Sequence, residues 1–163
     1  MNRASATPDK RFREVFPLDH HGRHFVCVLD ARPLMCGFFA YRLYPVNEYF
    51  EAIALDLSSL KYFWFKDHFF QRYAERMGIT HWEPIEILLH FNQCNPKMVF
   101  EASFDKLIYK EFKGMIQSGV LYCDMFDNPN IVNFKTFIGF HTLSHVKAND
   151  PVMRKLRKKL WCS

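Results

Sequence analysis

A chain of 163 residues, 49% hydrophobic and 24% charged, is sized for one compact domain that buries roughly two thirds of its unfolded surface. Its formal charge of +5 is unevenly placed: residues 1–145 hold 16 basic and 16 acidic side chains, while residues 146–163 hold six basic and one acidic, so the whole excess lies at the C-terminal end. Five cysteines without a CxxC pair, an opening MNRASATPDKRFREVF that lacks the apolar stretch of a signal peptide, and no run near ~18 apolar residues argue against a disulfide scaffold and a membrane span, and point to a soluble cytoplasmic protein.

In chain order, residues 1–15 are polar and predict a loose arm before a single domain over 16–145. RHFVCVLD (23–30), MCGFFAYRLY (35–44) and FEAIALDLSSL (50–60) have the apolar content of strands, the last being compatible with a short helix as well. DHFFQRYAERMG (67–78) predicts a helix with Phe69, Phe70, Tyr73 and Met77 on one face, Asp67 as its cap and Gly78 as its stop. THWEPIEILLHFNQCNP predicts a second helix, capped by Thr80, with Pro84 in the first turn and Asn95-Pro96 ending it. GVLYCDMF, the turn DNPN and the alternating IVNFKTFIGF predict a hairpin or meander. DPVMRKLRKKLW (150–161) predicts a basic amphipathic helix within the segment 146–163, with Asp150 as cap, Pro151 at the first position and Val152, Met153, Leu156 and Leu160 as its apolar stripe.

Two constellations carry chemistry. The first is the column His68, Arg72, Arg76, at i, i+4 and i+8 on the polar face of the first helix. Like charges four apart repel by a few tenths of a kcal/mol, so either solvent and the neighbouring Asp67 and Glu75 dilute the column, or an anion lies along it. In the second reading the guanidiniums hold phosphate oxygens and the imidazole moves a proton. The second constellation is Lys135 with Thr136 on the last strand, a cation and a hydroxyl expected to point to opposite faces. The histidines of HHGRH (20–24) and HTLSH (141–145) have no Cys or carboxylate at ligand spacing; HHGRH reads as a turn around Gly22, and no metal or other cofactor is expected. In the tail, Arg154, Lys155, Arg157, Lys158 and Lys159 with Trp161 suit a nucleic-acid surface, or a solvated helix face.

The order of elements, with HFFQRYAER on a helix and NFKTFI on a closing strand, resembles the barnase, EndoU, colicin and RelE-like group of endoribonuclease toxin folds over residues 60–145. That resemblance implies His68 as the proton-transfer group, Arg72 and Arg76 as phosphate ligands, and Lys135 and Thr136 as the far wall. The chain departs from the group in offering no partner carboxylate or second histidine. The expectation is an α+β fold, two central helices packed on an antiparallel meander with a C-terminal basic helix. The expected function is metal-independent cleavage of RNA, with RNA and an inhibitor protein as candidate partners. The alternative is a non-catalytic nucleic-acid-binding or protein-interaction domain that uses the same cations.

Overall fold

The computed structural model describes residues 12–32, 35–46, 49–57 and 59–162. Among the described residues nine strands and four α-helices follow in the order β1 (Phe12–His20), β2 (Arg23–Arg32), β3 (Met35–Val46), β4 (Tyr49–Asp56), β5 (Lys61–Phe65), α1 (Asp67–Met77), α2 (Pro84–Cys94), β6 (Met98–Phe100), β7 (Glu111–Ile116), β8 (Gly119–Asp124), β9 (Ile131–Gly139), α3 (His145–Ala148) and α4 (Pro151–Trp161). Among the described residues the strands form one sheet in the order β1-β2-β3-β4-β5-β9-β8-β7-β6. Every neighbouring pair is antiparallel except β5 and β9, which run parallel with Phe65 opposite Phe134.

This corrects the expected architecture. The strands are not a meander beneath two central helices but a wide mixed sheet, in which a five-strand meander and a four-strand meander join along β5 and β9, and α1 and α2 cover one face. Residues 12–15, expected in the arm, begin β1; residues 1–11 lie outside the described residues. KYFWF, which carried no strand expectation, is β5 and sits at the join.

The inner face is aromatic. On β4, Phe50, Ala52 and Ala54 alternate inward, and Phe63, Phe65, Phe134 and Phe137 continue the layer across β5 and β9. Phe65 stacks on Phe134 with centroids 4.1 Å apart, and Phe50 on Phe70 at 4.7 Å. From the helices, Phe69, Phe70, Tyr73, Leu88 and Phe91 close the core. A second, smaller cluster forms on the outer face, where Met153, Leu156 and Leu160 of α4 bury Met115 and Val120. The tail is therefore packed on the body.

Local chemistry explains the ends. Gly78 takes φ 70° and its N–H bonds back into α1, a left-handed stop that side chains other than glycine adopt at a cost. Lys66, not Asp67, is the residue before α1; Asp67 is its first residue and accepts the His68 N–H at 2.8 Å. Glu83 rather than Thr80 caps α2, through a reciprocal capping box with Glu86, and Pro84 follows at the first position. Asp150 caps α4 as expected, accepting the Val152 N–H at 2.7 Å. HHGRH is the β1–β2 turn, with positive φ at His21 and Gly22.

Candidate functional site

The apolar face of α1 decides where its cationic column points. Phe69 and Tyr73 press edge to face on Phe137 of the inner sheet surface, so His68, Arg72 and Arg76 are carried to the flank away from those rings. His68 and Arg76 are exposed, and Arg72 donates from Nη1 to Glu75 Oε2 at 2.9 Å, which neutralises it locally. Arg76 reaches the end of β9, where its Cβ and the ring of His141 border the empty side of Gly139.

On β9 a bulge changes every direction. Tyr122 of β8 faces Thr136 while Cys123 faces Phe134, so Lys135 is the extra residue. Phe134 and Phe137, three apart, would leave a regular strand on opposite faces, yet both are buried in the inner core. Lys135 and Thr136 do not face apart as expected. Both line one outer-face cavity of about 440 Å³ with Glu101, Glu111, Lys113 and Tyr122.

Lys135 is held inside that cavity by two carboxylates, with Nζ 2.8 Å from Asp124 Oδ2 and 3.2 Å from Glu111 Oε1. Burial of Asp124 works against its ionisation, but hydrogen bonds from Lys135 and Asn133 outweigh it and hold the carboxyl below the ordinary value. The bond to Asp124 likewise raises the Lys135 ammonium, against a smaller loss of hydration. The sheet stands between this pair and the column on α1. His68, Arg72 and Arg76 on one side and Lys135 and Thr136 on the other are not brought together around one reacting atom.

The tail cations divide. Lys159 turns back to the body and donates from Nζ to the carbonyls of Phe100 at 2.7 Å and Glu101 at 3.3 Å. Lys97 answers from the body, its Nζ capping the last carbonyls of α4 at Lys159 (2.8 Å) and Leu160 (3.3 Å), where a cation suits the helix dipole. Arg157 is half-buried, whereas Arg154, Lys155 and Lys158 are exposed and Trp161 is 60% exposed. Among the described residues none of these four cations is paired with a carboxylate.

A polar relay at the end of α2 is absent from the sequence reading. His90 Nδ1 lies 2.9 Å from Tyr73 Oη, its Nε2 lies 3.6 Å from Cys94 Sγ, and Asn95 Nδ2 donates to Tyr73 Oη at 3.3 Å while its oxygen accepts from Ser118. A cysteine four residues after a histidine was the available signal. Electrostatics argue against an imidazolium here, because burial lowers the His90 pKa. The relay fixes α2 on α1. Among the described residues, no group of three or more His, Cys, Asp or Glu side chains could hold a metal ion, and no helix is long and apolar enough to cross a membrane. Comparison of the chain with protein-family models, curated proteins and solved structures finds no match.

Proposed function

We propose that this protein binds RNA, without cutting it, along the exposed face of α4. The observation that carries this reading is the row formed by Arg154, Lys155 and Lys158 beside Trp161, cations without carboxylate partners among the described residues and a ring free to stack on a base. A membrane surface is the poorer fit, because the apolar stripe that an interfacial helix inserts is already buried on the sheet by Met153, Leu156 and Leu160. Cleavage asks for a proton-transfer group across the scissile phosphate from a free cation. The sheet stands between His68 and Lys135, and Lys135 is engaged by Asp124 and Glu111.

The test is the affinity for a fluorescent single-stranded RNA across a salt series. Each phosphate contact contributes about 0.7 to the slope of log affinity against log salt. Replacing the three exposed cations, Arg154→Glu, Lys155→Glu and Lys158→Glu, is expected to weaken binding at low salt and to flatten the slope by about 2. An unchanged slope removes α4 from the interface, and RNA cut in the presence of chelator would restore the catalytic reading.

A further inference from the structure

Among the described residues, Arg42 Nε is the one buried side-chain nitrogen or oxygen without a hydrogen-bond partner. β3 alternates, turning Tyr41 and Leu43 to the core and Arg42 and Tyr44 to the outer face of the sheet. There Arg42 stands in the ladder between Phe25 of β2 and Ile53 of β4, apolar neighbours whose side chains offer its guanidinium no acceptor. The guanidinium carbon lies instead 4.4 Å from the centroid of the Tyr44 ring. Among the described residues it makes no ion pair. Buried polar groups and charges are nearly always matched, so a half-buried arginine without an acceptor marks a place where an anion belongs.

The neighbouring strands show which anion. In the same cross-strand row Ile53 faces Trp64 of β5. Trp64 Nε1 donates to Glu51 Oε2 at 2.7 Å, which fixes the ring and engages that carboxylate. Lys66 Nζ lies over the Trp64 ring at 3.4 Å and, like Arg42, has no carboxylate partner among the described residues. Two residues before Trp64, on the same face, Tyr62 is 49% exposed. α1 packs on β4 from the opposite face, and α4 packs on β6 and β7. Two cations without carboxylates beside an open ring suit a ligand that alternates phosphates with flat bases. A second copy of the chain seated on this face would set unmatched cations against each other, and an acidic peptide would satisfy the cations without using the ring of Tyr62. We infer that the outer face of β3–β5 is a second contact for single-stranded RNA, with phosphates on Arg42 and Lys66 and a base stacked on Tyr62. This site rests on the RNA-binding reading of α4 for the kind of ligand, not for its place.

A phosphorylated dinucleotide, pApA, tests this on the full chain, titrated beside inorganic phosphate and tetraglutamate and followed by amide shifts in NMR spectra. The dinucleotide is expected to shift residues 42, 44, 62 and 66 and to bind at least about fivefold tighter than either control. Arg42→Met keeps a stem over Tyr44 and removes the charge, and Tyr62→Leu removes an exposed ring. Each is expected to weaken pApA at least about fivefold, and Tyr62→Leu, on the surface, carries the test alone if Arg42→Met fails to fold. The variant Arg154→Glu, Lys155→Glu, Lys158→Glu is expected to leave the strand shifts in place, which separates the two sites. Shifts confined to residues 154–161 would keep the α4 reading and overturn this one, whereas strand shifts together with a salt slope of longer RNA that the α4 variant leaves unchanged would do the reverse. Equal binding of phosphate, tighter binding of tetraglutamate, no shift by any probe, or variants that bind as the parent does would also overturn the assignment.

Discussion

Asp124 and Lys135 set the pH window in which the outer face is at full strength. The Asp124 carboxyl is held below its ordinary value of 3.8. Its share of stability is thus complete above that value and is lost as the pH falls through the depressed one. Lys135 is raised above 10.5, so its share is complete below that value and is lost as the pH rises through the raised one. Lys135→Met leaves a buried carboxylate with fewer donors and is expected to cost about 1–2 kcal/mol at pH 7, less than for a fully buried pair because the ammonium is partly hydrated. Denaturant midpoints at pH 7 and pH 3 check this: the penalty should shrink at pH 3, and an equal penalty at both would mean that packing, not charge, is lost. At Gly119 a Cβ would lie 2.2 Å from the Ile138 carbonyl and 2.6 Å from the Phe137 ring. Gly119→Ala is expected to cost about 2–3 kcal/mol in a thermal melt, or to prevent folding. The direction of Lys135 was not legible beforehand, because alternation along a strand assumes one residue per partner, and only the neighbour β8 reveals the extra one.

Elements whose cause is local were readable from local residues. Asp150-Pro151 followed by the stripe of α4, and Gly78 after α1, name their own boundaries. At α2 the expected cap, Thr80, gives way to Glu83, because Glu83 and Glu86, three residues on, together satisfy two backbone donors at once. Glu83→Ala is therefore expected to lower stability by about 1 kcal/mol, and Thr80→Ala to leave it within about 0.5 kcal/mol; equal effects in urea melts would contradict the assigned cap. β5 went unread because KYFWF is only five residues long and its aromatic run continues into those of α1. The tail also covers part of the body. Removing Asp150–Ser163 would strip Met115 and Val120 of their cover, so a truncated chain is expected to melt earlier and bind hydrophobic dyes. A truncation that melts with the intact chain would show α4 to be dispensable to the body.

At the scale of the molecule, what escaped the sequence was pairing. Each meander is built from neighbours along the chain, but β5 meets β9 only after α1, α2 and three further strands, and nothing near Phe65 announces Phe134 as its partner. The candidate site misled for the same reason, since motifs 60 residues apart were read as facing walls when a sheet lies between them. The late closure of this join has a consequence during synthesis. When β5 leaves the ribosome, β9 lies some 70 residues behind, which at about 5–20 residues per second leaves an aromatic edge unpaired for roughly 4–15 s. Lys61 and Lys66 flank that edge, the first ending on Pro129 O at 2.6 Å and the second over the Trp64 ring at 3.4 Å. Charges in these places keep an open strand from recruiting another chain. Replacing both lysines with glutamine should leave the finished fold near its parental stability while shifting freshly translated protein from supernatant to pellet, as though the two side chains guard the nascent chain more than the native one.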